Sequence, residues 1–350
     1  MKPQQLTATT GTFDPETFSF PDLLKTLKMR QPIAPDALHM ALTHIMEGKA
    51  SDGEVGAFLM GLGPENESVD HIVMAAKALH DKARRVSAPQ GTVDCCGTGG
   101  DGLKTYNIST AVAIVGAAAG VPVAKHGNRA ASSQSGAADI LEALGIDLID
   151  DESRLETALK EIGFAFLMAP HHHASMSHVG KIRKQLGFRT LFNVLGPLSN
   201  PAGAKRQLVG VYDRSWLEKL ARALGKLGAE KALVVHGKDG LDEITLTGKT
   251  FCVEWDGEST REYILEPEDF GLSQISIEDI RGGSPEDNAR ALENLLNGEK
   301  GAYRDIVLAN TAALLRLADK CDDLTDGVEM AANAIDSERA LDVLAHYKNI

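Results

Sequence analysis

Aromatic residues make up only 5% of this 350-residue chain, and cysteine occurs four times, at Cys95, Cys96, Cys252 and Cys321. Adjacent Cys95 and Cys96 form no C-x-x-C pair and nothing else stands at metal-ligand spacing, which excludes a cysteine-based zinc module. Free thiols fit a reducing compartment, so a cytoplasmic location is expected. Long apolar runs are missing as well. The richest, AVAIVGAAAG at 111–120, is far shorter than the ~20 residues of a membrane span, and no membrane partner is expected. The start of the chain lacks a basic segment followed by an apolar core, so residues 1–20 are expected to be a loose extension rather than a signal. Basic residues are in deficit: 36 Lys and Arg against 49 Asp and Glu give a net charge of −13. Nucleic-acid binding requires basic surface, and no such partner is expected. An acidic chain that handles phosphate must do so locally, with helix N-termini, a few placed cations or a metal.

What is present divides the chain in two. From about 21 to 86 apolar residues recur at helical spacing, as in FPDLLKTLKM and PDALHMALTHIMEG, with Pro35 in a first turn, Gly48 as a stop and Ser68 as a cap. After residue 92 short apolar segments (VDCC, VPVAKH, AFLMA, RQLVGVY, KALVVHG) alternate with helical stretches. The expected fold class is therefore α/β: a small all-helical N-terminal domain (21–86, joined by helices from about 172–190) plus a larger α/β domain (92–350). The larger domain should hold a mostly parallel central sheet flanked by helices. Residues 241–265 read as short antiparallel strands, and the C-terminus as helices capped by Ser284, then over 303–320 and about 326–347.

GTGGDG at 97–102 satisfies G-x-G-x-x-G, yet the dinucleotide reading requires an acid about 20 residues on. That region is AAAGVPVAKHGN, without one, and Leu103 stands where a P-loop requires lysine. The neighbourhood is better read as a strand, a glycine loop able to form an anion nest, then Asn107, Ser109 and Thr110 at a helix start. The arrangement recurs in AKHGNRAASSQSG before AADILEALG, where Lys125 and Arg129 add cations. Two anion sites close together suit a ligand with phosphate at both ends. Asp242 and Glu243, in a loop after a strand, suit Mg²⁺, with Asp101 and Ser109 as further oxygen ligands. His171, His172, His173 and His178 lack the spacing of a zinc site. Arg183 and Lys184 could offer a fork to a carboxylate.

With those residues assembled, the chain resembles the anthranilate phosphoribosyltransferase family from about residue 20 onward. The motifs that carry the likeness are GTGGDG, TYNIST, AKHGNRAASSQSGAADILEALG, APHHH, GFRTLFNVLGPLSNPA, DGLDEI and RDIVLANTAALL. The resemblance implies transfer of a phosphoribosyl group from phosphoribosyl diphosphate to anthranilate with Mg²⁺, by a homodimer formed through the helical domain. It implies that Gly97, Gly100, Asp101, Thr105, Asn107, Ile108, Ser109 and Thr110 hold the phosphoribosyl substrate. Lys125, His126, Gly127, Asn128, Arg129, Ala130, Ala131, Ser132, Ser133 and Ala137 run along its sugar phosphate. Ser109, Asp242 and Glu243 would bind the metal. Gly97, Asn128 and Arg183 would contact anthranilate, with His126, His173 and Pro197 lining its site. His126 would either accept a proton or pack against the ring.

Two departures stand out: Ala137 where relatives often carry serine, and Ala174 where proline is common. The competing readings are a pyrimidine nucleoside phosphorylase, which would not need Mg²⁺, and a non-catalytic nucleic-acid-binding relative, which should have lost the two loops.

Overall fold

The computed structural model describes residues 15–130 and 134–350. Its first four helices form where apolar residues recur at helical spacing and a side chain or a proline answers the free amides of the first turn. In α1 (Phe20–Lys28) the Ser19 hydroxyl accepts from Asp22 N. α2 (Pro35–Met46) starts on proline, whose missing N–H costs nothing there, and ends ahead of Gly48 at φ +71°. α3 (Asp52–Gly61) has a reciprocal Ser51–Glu54 capping box, and α4 (Val69–Asp81) is capped by Ser68. Of the expected loose extension, residues 1–14 lie outside the described part. Its end is packed: the Phe20 ring stacks on His44 with centroids 4.8 Å apart.

Strand and helix then alternate. β1 (Val93–Gly97) leads to α5 (Ile108–Ala118), and β2 (Val123–Gly127) to α6 (Ala137–Ala143) and α7 (Glu152–Glu161). β3 (Phe164–Met168) runs into α8 (Ala169–His172), followed by α9 (Ser177–Leu186) and α10 (Phe192–Leu195). β4 (Arg206–Gly210), α11 (Leu217–Lys226), β5 (Lys231–Gly237), β6 (Thr250–Trp255) and β7 (Thr260–Leu265) complete one sheet. Its order is β3-β2-β1-β4-β5-β6-β7, parallel from β3 through β5 and antiparallel at β6 and β7.

α12 (Pro285–Leu296), α13 (Ala302–Leu317), α14 (Leu324–Asp336) and α15 (Arg339–Tyr347) close the chain. The single helix expected over about 326–347 is two. Glu338 takes φ +63°, a left-handed turn that ends α14 and redirects α15 toward the sheet. There the Tyr347 hydroxyl accepts from Phe166 N of the edge strand β3 at 3.0 Å.

Alternate side chains of β4, β5 and β6 enter different cores, as a period of two requires. Leu208, Leu233, Val235 and Cys252 pack with α5, α13, α14 and α15. Val209, Ala232, Val234 and Val253 pack with α11 and with α1 to α4. Val179, Ile182, Phe192 and Leu195, from α9 and α10, join this second core. Among the described residues no helix is long and apolar enough to cross a membrane. Between β1 and β4 the strand order reverses, so the loops leaving their carboxyl ends diverge and open a crevice.

Candidate active site

A cavity of about 420 Å³ occupies that crevice. One end is lined by the loops after β1 and β2, the start of α5, and Asp242 and Glu243 beyond β5; Arg183, Phe192, Gly196 and Pro197 line the other.

The loop after β1 is curled by left-handed φ at Gly99 (+68°) and Gly100 (+81°), open to glycine without strain. Gly99 N donates to Asp242 Oδ2 at 2.6 Å and Thr98 N to Gly210 O at 2.9 Å. A Cβ on Gly97 or Gly210 would collide with Asp242, so the acidic loop packs directly on the two strand ends. Arg189 lies over the Tyr212 ring, 3.9 Å from its centroid, and donates to Gly100 O.

α5 begins beyond Asn107 with no side-chain cap, and Ile108 and Ser109 line the cavity. The first-turn amides therefore remain available to an anion. Asn107 itself is engaged, accepting from Asn288 Nδ2 at 2.9 Å and Ser135 Oγ at 3.2 Å, which clips the two loops together. Thr110 does not line the cavity: it is 1% exposed with its hydroxyl unpaired, because neighbouring helix positions diverge by about 100°.

In the second loop Arg129 turns to α6, where Nη1 and Nη2 each lie 2.5 Å from Glu142. Asp139 Oδ2 accepts from Ala130 N at 2.9 Å and Gly136 N at 2.8 Å. Lys125, His126, Gly127, Asn128, Arg129, Ala130 and Ala137 line the cavity, as do Gly97, Gly100, Asp101 and Thr105. Ala131, Ser132 and Ser133 lie outside the described residues.

The acidic end holds Asp101, Asp242 and Glu243. Burial pushes all three carboxyls upward; repulsion from Asp101 adds to this at Asp242, and repulsion from Asp242 and Asp101 at Glu243, which rises to about 8. The cation facing them is Lys125, whose ammonium donates to Cys95 O at 2.8 Å and Ser109 Oγ at 3.0 Å. Hard oxygen donors with excess negative charge fit a magnesium ion. Among the described residues no three His, Cys, Asp or Glu side chains converge enough to enclose one. That suits Mg²⁺, which takes one or two carboxylates and completes its shell with substrate oxygens and water.

The other end has the opposite character. Arg183 makes no ion pair among the described residues; its guanidinium lies 5.6 Å from the Phe192 ring centroid, and burial lowers its pKa. His126 Nδ1 is 3.1 Å from Gly196 O, which assigns the proton to Nδ1 and leaves Nε2 a buried lone pair without a partner. Burial and the neighbouring His173 push His126 down to about 3. His173 stands behind His126, centroids 5.4 Å apart, and is not on the cavity wall. The remaining histidines disperse, His172 to Arg84 O and His178 to Asp52.

Three contributors escape sequence reasoning. β1 and β2 pair through the single register Val93–Val123, and beyond it side chains replace the ladder. Asp94 Oδ1 accepts from His126 N at 3.1 Å, and Asn200 Nδ2 donates to Ala124 O at 2.8 Å. Asn310 binds the backbone of Ile244. Each is a polar residue in an apolar segment, a signal present in sequence but without an address.

Residues 89–341 match the family described as "Glycosyl transferase family, a/b domain", and residues 21–83 its "helical bundle domain". The chain is 50% identical to the anthranilate phosphoribosyltransferase of Rhodospirillum rubrum over 323 residues, 92% of this chain and 93% of that protein. Identity to the Azospirillum brasilense enzyme of the same name is 53% over 312 residues, 89% of this chain and 87% of that protein. The crystal structure of the Thermus thermophilus enzyme superposes with TM-score 0.88 at 40% identity, covering 94% of this chain and 98% of that one. The Saccharomyces cerevisiae enzyme in complex with PRPP and Mg gives 0.87 at 32%, covering 94% and 97%.

Proposed function

The chain belongs to the anthranilate phosphoribosyltransferase family, and from that premise we propose how its residues divide the work. The reaction transfers the 5-phosphoribosyl group of phosphoribosyl diphosphate to the amine of anthranilate, releasing diphosphate, in tryptophan biosynthesis. The observation that carries the assignment is the cavity's polarity: buried carboxylates with one ammonium at one end, and a guanidinium without a carboxylate at the other.

The phosphoribosyl substrate lies at the acidic end, its diphosphate against the glycine loop and the uncapped start of α5. Asp242, Glu243 and Ser109 would hold Mg²⁺, which supplies counter-charge to diphosphate as it departs. The glycine-loop and first-turn amides of α5 stabilise the same growing charge. Arg183 binds the anthranilate carboxylate as a charge-assisted pair. Pro197, the His126 ring and the Gly97 and Asn128 edges hold the aromatic body, aiming its amine at C1. The amine lone pair forms the C1–N bond as the C1–O pair leaves with diphosphate, and the proton shed by the resulting ammonium passes to the departing diphosphate or to water. His126 Nε2 accepts the amine N–H as a hydrogen bond, orienting the nucleophile. Held down near 3, that ring remains neutral and serves as an acceptor rather than a strong base.

The same reading covers assembly and motion. Met29, just after α1, and Met60 on α3, 68% and 52% exposed, support a homodimer formed through the helical domain. Residues 87–92, between the helical domain (21–86) and the α/β domain (92–350), serve as the hinge that closes the substrates together. Free Cys95, Cys96, Cys252 and Cys321 fit the cytoplasm.

The test is direct. Anthranilate fluorescence is followed with protein and phosphoribosyl diphosphate, in Mg²⁺ and then in EDTA. Loss of signal only with metal and both substrates is the expected result. Loss that persists unchanged in EDTA removes the metal assignment.

A further inference from the structure

The motif RDIVLANTAALL places one amide in an apolar run, and α13 buries it: Asn310 is 0% exposed. Its Oδ1 accepts from Ile244 N at 2.9 Å, and its Nδ2 donates to Ile244 O at 2.8 Å and to Ile306 O at 2.9 Å. One planar amide thus grips both polar groups of a single residue, the one directly after Glu243. Ile244 and Leu246 also anchor this loop in the core, but apolar contact does not define rotation about the chain. Only a side chain that accepts and donates at once can do so here; aspartate and leucine cannot.

The same helix reaches the other side of the site. Tyr303 OH donates to Asn107 O at 3.3 Å, at the turn that presents Ser109. Tyr303 and Asn310 are two helical turns apart, on one face and about 10 Å along the axis. α13, buried along almost its whole length, therefore spans the gap between the Glu243 loop and the Ser109 turn.

We propose that Asn310 is a positioning residue for metal binding, fixing the Asp242–Glu243 loop at a set distance from Ser109 through its paired hydrogen bonds to Ile244. The inference rests on the assignment of Asp242 and Glu243 to Mg²⁺, and the experiment separates the two. Mn²⁺ serves as the probe, titrated by electron paramagnetic resonance against the full-length protein with and without phosphoribosyl diphosphate. Thermal melts and anthranilate KM are measured alongside.

Asn310→Ala and Asn310→Asp should each weaken Mn²⁺ binding in the presence of phosphoribosyl diphosphate by about tenfold or more, the usual effect of losing an outer-shell partner. Anthranilate KM should stay within about twofold. Thr311→Val is the control: Thr311 is 0% exposed on the same helix, and its hydroxyl has no partner. It should leave Mn²⁺ binding unchanged. Unaltered Mn²⁺ binding in both Asn310 variants overturns the proposal, as does equal weakening by Thr311→Val. If neither Asn310 variant folds while Thr311→Val does, the residue is a stability element and the proposal also fails. If Asp242→Asn with Glu243→Gln leaves Mn²⁺ binding intact, the underlying metal assignment is what fails.

Discussion

The two ends of the cavity are built on opposite principles. At one, Asp101, Asp242 and Glu243 crowd together near the Lys125 ammonium, and burial raises the pKa of each. At the other, Arg183 keeps its charge beside the Phe192 ring without a carboxylate, and His126 and His173 are neutral. Each end is left electrically incomplete, and in opposite senses. A chain of net charge −13 can thereby accept an anionic substrate at each end: one through a bridging cation, the other through a resident one.

The contrast can be broken most severely at the acidic end. Asp242→Asn combined with Glu243→Gln should lower Mg²⁺-dependent turnover by about 10³-fold or more, as several kcal/mol of charge stabilisation are lost. Steady-state rates across a Mg²⁺ series check this. Next in size, Arg183→Ala should raise anthranilate KM by about a hundredfold, the scale of a lost buried charge partner. The KM of the phosphoribosyl substrate should move little; equal changes in both would erase the distinction between the ends.

A smaller effect follows from the neutral histidines. Folding depresses His126 to about 3 and His173 to about 4 from an unfolded value of 6.5. The unfolded chain thus binds protons that the folded one excludes, so their contribution is complete above pH 6.5 and is lost as pH falls toward 4 and 3. Melting temperature should decline over that window, and less steeply in His173→Gln. Smallest of all is Glu142→Gln. Releasing Arg129 from an exposed ion pair should lower the phosphoribosyl substrate KM about twofold, with little change in melting temperature.

Much of the fold could be read in advance because its signals are local. Caps at Ser68 and Ser284 and the short apolar segments that become strands behave as their side chains dictate. The two loops that line the cavity are legible for the same reason, since glycine and polar residues cluster between a strand and a helix. Illegible features depend on what comes near from elsewhere. Arg129 lines the cavity as its loop suggests, but its pairing with Glu142 of α6 is not announced by spacing. Ser109 and Thr110 look equivalent in sequence, and helical rotation separates them, one to the cavity and one to the core. Asp94, Asn200 and Asn310 act on backbone groups of distant segments, so spacing holds no record of their task.

The second core, shared by α1 to α4 and one face of the sheet, has a consequence for biosynthesis. Leu27 and Leu38 belong to the same cluster as Val234 and Val253. As the chain leaves the ribosome, the first helices emerge with an apolar side whose partners have not yet been translated. Their packing on the sheet can be completed only once β6 has been made. A stop codon or a stalled ribosome before that point would release a fragment with its adhesive surface uncovered.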